Sequence, residues 1–421
     1  MKTLSKKSRT DYFQALHEQN FQKINIYQAY IMSSKLQDLK ISYEKYVNEN
    51  TKKMFTFAIG LSIVGLSASL FYQRFIFPRM YPLQFEYKKM KSTINKIQSN
   101  QKSIIQLSII KRIKICKDGI VFNFSVLKDL DKKPLGSSRG QTSNPFLPPF
   151  EDGLFVQELS KTHTLLFNKY AVVKNHMLVV TTQFEYQNSL INQNDFSAAH
   201  KVLLTLKGFW FFNSGPDAGA SQQHKHMQVM PYEARADTPI LNILHKRARK
   251  QPSECQYFLY EPFQFKHIIK VLRQMQEEES VESYGEYLQE CYIDCMKILK
   301  NLEQTGDSQK IKQAYNMIVM DNFMLIVIRK QEKTESSPYI AINGMGFTGS
   351  FLLKSFQEIQ KNDHINPFDL LKEVCVEIDE KEKIAIQSQY LLQQIENQEC
   401  NEQQQLIHQK EHEPIKSEQI L

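Results

Sequence analysis

The run "GFWFFNSGPDAGASQQHKHMQVM", residues 208–230, constrains this chain more than any other stretch. Two apolar segments flank one that must bend. Pro216, Gly215 and Gly219 interrupt regular structure, so Phe209–Phe212 reads as a strand entering a loop and "HKHMQVM" as a strand leaving it. Along a strand, alternate side chains share a face. His224, His226 and Gln228 therefore point one way, and Lys225, Met227 and Val229 the other, toward a core. Three nitrogen-bearing side chains on one face are unfavourable to bury without partners. Beside a bend whose amides can gather an anion, they read as a phosphate cradle next to a nucleophilic imidazole. Three other readings of these residues stay open: half of a zinc site, histidines satisfied within the structure, and a loop that binds phosphate without chemistry.

The rest of the chain supplies the frame. Its 421 residues, 42% of them apolar, suffice for one large or two modest domains. A net charge of +8 suits a polyanionic ligand or an anionic surface and is too dispersed to argue for nucleic acid. The six cysteines include no CxxC pair, which points to free thiols in a reducing compartment. "DGIVFNFSVL", "THTLLFNKYAVV", "HMLVVTT", "YNMIVM" and "FMLIVIR" read as strands, the last two joined by a turn at Asp321–Asn322. Residues 195–207 and 285–302 read as helices. "INGMGFTGSFLLKSF" reads as a glycine-punctuated loop feeding a helix. Strands arriving as hairpins imply an α+β fold with antiparallel sheet and flanking helices.

The predicted organisation is a polar helical extension over 1–53, an uncharged run over 54–72, a basic helical linker over 73–115, catalytic blocks over 116–255 and 256–376, and a Gln/Glu/Lys-rich tail over 377–421. Met54–Tyr72 carries no charge, and at ~1.5 Å per residue it approaches the ~30 Å core of a bilayer. It reads as an N-terminal hydrophobic helix with two alternatives, a span that tethers the protein to a membrane or a buried core helix of a cytoplasmic one.

"NSGPDAGASQQHKHMQ" resembles the signature of the ATP adenylyltransferases, or diadenosine tetraphosphate phosphorylases. These form the branch of the histidine-triad superfamily that carries HxHxQ. "DGIVFNFSVLKDLDKKP", "NPFLPPFEDGLFV", "LLFNKYAVVKNHMLVVT", "GFWFFNSGP", "YNMIVMDNFMLIVIR" and "INGMGFTGSFLLK" are similar to further blocks of that family. The resemblance covers roughly 116–376.

The resemblance implies a histidine-triad-like sheet. It also implies a reaction in which a dinucleoside tetraphosphate and phosphate give ATP and ADP through a nucleotidyl-histidine. His226 would be the nucleophile, with the carbonyl of His224 as acceptor for its other ring nitrogen. Gln228 would bond a phosphate oxygen. Asn213, Gly219, Ala220, Ser221 and Gln222 would line the phosphates, and Asn168 and Lys169 would meet the nucleotide. Lys133, with Lys132 as a rival, would neutralise phosphate. Asn343, Gly344, Met345, Ser350 and Lys354 would close over the polyphosphate. The implied partners are nucleotides and phosphate, with a monomeric enzyme and Mg2+ held by substrate. A transferase with another acceptor, such as sulfate or a sugar phosphate, and an idle nucleotide sensor are the alternatives.

Overall fold

The computed structural model describes residues 82–99, 107–128, 144–251, 257–305, 308–336, 340–355 and 365–386. The expected membrane helix over 54–72 lies outside the described residues, as do most of the linker's start and the tail. Among the described residues, no helix is long and apolar enough to cross a membrane.

In chain order the elements are α1 (Pro82–Ser99), β1 (Ile109–Lys117), β2 (Ile120–Leu127), β3 (Phe155–Glu158), β4 (His163–Phe167), β5 (Met177–Thr181), α2 (Gln193–Leu206), β6 (Phe209–Asn213), β7 (His226–Met230), α3 (Pro239–Ala248), β8 (Tyr257–Phe258), β9 (His267–Val271), α4 (Val281–Ile298), β10 (Leu302–Thr305), β11 (Ser308–Ile311), β12 (Tyr315–Val319), β13 (Phe323–Ile328), β14 (Ser350–Leu353) and α5 (Pro367–Glu373). Nine strands form one sheet in the order β3-β4-β5-β7-β6-β12-β13-β9-β8. Every adjacent pair in it is antiparallel.

Both faces of that sheet are covered, which is why its central strands are apolar runs and not alternating ones. On one face, Phe196 and Val202 of α2 and Tyr284, Leu288 and Tyr292 of α4 join Trp210, Met227 and Met317 in a single core. Gly285 lets α4 approach α2 closely, for a Cβ there would sit 2.0 Å from Ser197 Oγ and 3.0 Å from the Gln193 carbonyl. On the other face, β2, β14, α3 and α5 pack Phe122, Phe351, Leu244 and Leu371 against Phe211, Ile318 and Leu325.

The order of elements repeats. β5-α2-β6-β7 and β9-α4-β12-β13 run through the sheet in mirrored sequence about the β6–β12 pair. One cross-strand row crosses all nine strands through Phe155, Leu166, Leu178, Gln228, Phe211, Ile318, Leu325, Ile269 and Phe258. Gln228 is its one polar member. On β13 the same face carries Phe323, Leu325 and Val327, so the second half of the sheet offers hydrocarbon where β7 offers His226 and Gln228.

Three expectations need correction. The predicted basic helix ends at Ser99, and Ile109–Lys117 is a strand antiparallel to β2. Its period is two: Ile113 and Ile115 pack on the core while Arg112 and Lys114 face outward. The segment after "INGMGFTG" is a strand, not a helix. Gly344–Thr348 forms a 3-10 turn, Gly349 takes φ +91°, and β14 then pairs parallel with β2, stacking Phe351 on Phe124 at 4.5 Å. Lastly, β7 starts at His226; His224 is joined to Tyr186 by an isolated bridge.

Candidate active site

β7 lies between β5 and β6 and presents His226 and Gln228 to a cavity of about 620 Å³. Asn168, Lys169, Ser221 and Gln222 line the same cavity, together with Asn144–Glu151, which the sequence reading gave no role. Leu154, Leu166 and Leu178 form its apolar wall.

His226 is buried, and its Nδ1 stands 2.9 Å from the His224 carbonyl. A carbonyl only accepts, so Nδ1 carries the proton and Nε2 the lone pair. Phe146 packs on this ring with centroids 5.0 Å apart. His224 has a different setting. Its Nε2 donates to the Thr181 carbonyl at 2.9 Å, and its Nδ1 faces Asn144 Nδ2 at 2.8 Å. The Thr181 carbonyl puts the His224 proton on Nε2, the opposite tautomer, and burial lowers the pKa of that ring, disfavouring its charged form.

Gln187 holds the backbone of His226. Its amide nitrogen donates to the carbonyls of Asn213 (2.8 Å) and His226 (3.1 Å), and its oxygen accepts from the His226 amide at 2.8 Å. The side chain thus stands in for the missing rung where β6 ends and β7 begins.

The glycine-bearing bend does not offer all its amides to an anion. Ala218 and Ala220 donate to the Gly215 carbonyl at 3.1 and 3.0 Å, and Gly219 donates to Pro216 at 2.8 Å. The bend closes on itself, so Ser221 and Gln222 are the loop residues that reach the cavity wall. Gly219 takes φ +81°, and a Cβ there would come within 2.8 Å of Asn343 Cβ.

The carboxyl-terminal residues predicted to cover the polyphosphate sit elsewhere. Asn343 accepts from the Met345 amide and caps its own turn. The Gly344 amide donates to Asn213 Oδ1 at 3.0 Å. This turn buttresses the bend from behind. Ser350 lies on β14 opposite Asn123, and neither it nor the exposed Lys354 lines the cavity. Lys133 and Lys132 lie outside the described residues.

Arg329 ties the two halves together. It is buried and bonds Asn316 Oδ1 and the carbonyls of Val374, Gln331 and Ile342. Asn316 passes the link on, donating to Asn213 Oδ1 and to the Ala218 carbonyl. Burial lowers the Arg329 pKa to about 10, so the guanidinium remains charged at neutral pH. On the reverse face of β7, buried Lys225 meets Asp195 at 2.5 Å, and Asp195 accepts from His163 at 2.9 Å. Burial opposes ionisation of Asp195, but the His163 hydrogen bond and the Lys225 charge outweigh it and hold the carboxyl below its ordinary range. The same carboxylate closes the capping box of α2 with Asn192, anchoring the helix to β7.

Lys169 Nζ is paired with Glu151 at 2.7 Å, which raises its pKa. Among the described residues no three His, Cys, Asp or Glu side chains are grouped to hold a metal ion. The four described cysteines, Cys116, Cys291, Cys295 and Cys375, are free thiols.

Residues 83–246 match the family model of the Ap4A phosphorylase N-terminal domain, and residues 261–377 that of the ATP adenylyltransferase C-terminal domain. The first match begins upstream of residue 116, where the resemblance is read in the sequence, and takes in α1 and β1. Among curated proteins of Saccharomyces cerevisiae (strain ATCC 204508 / S288c), diadenosine 5',5'''-P1,P4-tetraphosphate phosphorylase 2 is 27% identical over 244 residues, spanning 53% of this chain and 73% of the relative. Protein APA1 is 26% identical over 266 residues, spanning 58% and 79%. The crystal structure of yeast Ap4A phosphorylase Apa2 in complex with AMP superposes with a TM-score of 0.53 at 21% identity, covering 68% of this chain and 97% of that one. The complex with Ap4A gives 0.52 at 19% identity, covering 69% and 98%. The fold is that of these enzymes, and the chain belongs to the ATP adenylyltransferase (Ap4A phosphorylase) family.

Proposed function

We propose that this protein catalyses the reversible phosphorolysis of diadenosine tetraphosphate to ATP and ADP, with His226 as the nucleophile. The observation that carries the reading is the Nδ1–H of His226 held on the His224 carbonyl, which makes Nε2 the nitrogen that bears the lone pair. Nε2 bonds to the α-phosphorus of the dinucleotide, the bond from that phosphorus to its bridging oxygen breaks, and ATP leaves. A phosphate oxygen then bonds to the same phosphorus, the N–P bond breaks, and ADP leaves. The Nδ1–H and its carbonyl stabilise the cationic ring of the adduct.

Gln228 has no ionisable proton to give, so it serves as a hydrogen-bond donor to the phosphoryl oxygens. ATP leaves as an anion and needs no proton at the moment of departure. The substitution of Gln for an acid therefore suits transfer to phosphate over hydrolysis. The leucine wall receives a nucleobase, and Asn168, Ser221 and Gln222 meet the ribose and phosphates. A divalent ion such as Mg2+, brought by the substrate and held by phosphate oxygens and water, would neutralise phosphate charge. The only carboxylate among the described cavity residues is Glu151, which Lys169 already engages. Membrane tethering rests on the uncharged run over residues 54–72 and a monomeric state on the family resemblance, and both belong to the same proposal.

The test is incubation with labelled diadenosine tetraphosphate, with and without phosphate, followed by nucleotide chromatography. ATP and ADP that form only when phosphate is present support the reading. AMP and ATP formed regardless of phosphate identify a hydrolase instead.

A further inference from the structure

His176 makes and breaks no bond in phosphorolysis. It precedes β5, is 9% exposed, and its Nε2 lies 3.0 Å from Gln228 Oε1. Asn168 Nδ2 approaches the same ring, 3.3 Å from Nδ1 and 3.4 Å from Nε2. The oxygen of Asn168 accepts from the Tyr170 amide at 3.0 Å, and the Asn168 amide donates to the His176 carbonyl at 3.0 Å.

This chain of contacts has one consistent polarity. A backbone N–H only donates, so the Tyr170 amide fixes Asn168 Oδ1 toward itself and leaves Nδ2 facing the imidazole. That NH2 lies almost equally far from Nδ1 and Nε2, so it donates to whichever ring nitrogen is unprotonated. The neutral ring has one such nitrogen, and its other nitrogen carries the proton. Gln228 Oε1 accepts that proton's hydrogen bond from Nε2. Turning the Gln228 amide over would set its NH2 against the imidazole N–H. Restoring the match would then require the ring to carry its proton on Nδ1 instead of Nε2. The Gln228 oxygen is thus committed to His176, and its NH2 is the end left for the cavity.

We infer that His176 is a positioning residue that locks the amide of Gln228 with its NH2 toward the phosphoryl group in transfer. The inference rests on the phosphorolysis reading, and it supplies what a glutamine needs in place of a histidine. A primary amide is a donor at one end and an acceptor at the other, so it aids an anionic transition state in only one of its two orientations. His176, with its Nε2 facing Gln228 Oε1, selects against the wrong one.

Two measurements test this. Long-range 1H–15N spectra of the histidine-labelled wild-type protein should show His176 as the Nε2–H tautomer and His226 as the Nδ1–H tautomer. The Nδ1–H form at His176 overturns the inference whatever the activity proves to be. Second, kcat and KM for phosphorolysis are measured for H176F, Q228A and the double variant. H176F should lower kcat on the order of 10- to 100-fold, the usual loss when the group that orients a working side chain is removed, with KM for the dinucleotide little changed. The double variant should be no slower than Q228A, because His176 acts only through that amide. Losses that multiply overturn the inference. Should wild-type protein fail to make ATP and ADP, the activity reading falls and the tautomer measurement judges the His176 assignment alone. The same measurement decides if H176F does not fold.

Discussion

His224 and His226 are two residues apart and are built for different work. His226 has its proton held on a carbonyl and its lone pair directed by that choice. His224 has both ring nitrogens occupied, by Thr181 and Asn144. His226→Ala should therefore abolish phosphorolysis, by roughly 10³-fold or more, as loss of a nucleophile does. Its thermal unfolding midpoint should stay close to wild type. A variant that keeps a tenth of wild-type activity contradicts the role. Gln187→Leu should act through the backbone. It removes the Gln187 hydrogen bonds to the amide and carbonyl of His226, while the Asn213 carbonyl keeps its bond from the Gly215 amide, a loss of about 1–3 kcal/mol. Urea unfolding measures that loss, and kcat should fall alongside it.

At the scale of elements, the apolar runs were legible. "HTLLF", "MLVVT", "FWFFN", "YNMIV" and "FMLIVI" became β4, β5, β6, β12 and β13, because strands covered on both faces carry a continuous apolar signal. β1 was hidden because Arg112 and Lys114 occupy the outward positions of an edge strand and Lys111 and Lys117 flank Ile113 and Ile115 in the inward row, which masks the alternation. β14 was hidden because its four residues suit either structure locally, and its parallel pairing with β2 decides the matter. His226 and Gln228 were legible from alternation alone. Gln187, His176 and Arg329 were not, since each owes its role to a partner distant in the chain. At this scale the α2–α4 contact gives a direct prediction. Gly285→Val places carbons where Ser197 Oγ and the Gln193 carbonyl already lie, and should destabilise the fold by roughly 1–3 kcal/mol. Wild-type stability of the Gly285→Val variant in denaturant unfolding would refute the packing described.

In the whole molecule, the second half of the sheet holds no copy of the motif and serves as support. Its Arg329 reaches the bend through Asn316, and its Gly344 reaches Asn213. Arg329→Met should weaken the fold and raise KM for the dinucleotide, because the bend loses its anchor while His226 keeps its own. Acid stability is a property of the same scale. His200 and His267 are fully buried, and burial lowers each pKa to about 4. The unfolded chain binds these protons near pH 6.5 and the native state does not. Stability is therefore full above pH 6.5 and declines as pH falls toward 4, by roughly 3 kcal/mol for each group. Unfolding midpoints recorded between pH 7 and pH 4 check the slope, and His200→Leu should flatten it.

The account turns on a covalent bond to His226, and trapping that bond is its most direct measurement. Protein mixed with diadenosine tetraphosphate labelled at the α-phosphorus, without phosphate, is quenched in alkali and digested. The account predicts acid-labile, alkali-stable label on the peptide containing His226, discharged as ADP when phosphate is added before the quench. Phosphorolysis at the full rate with no label on that peptide would contradict it.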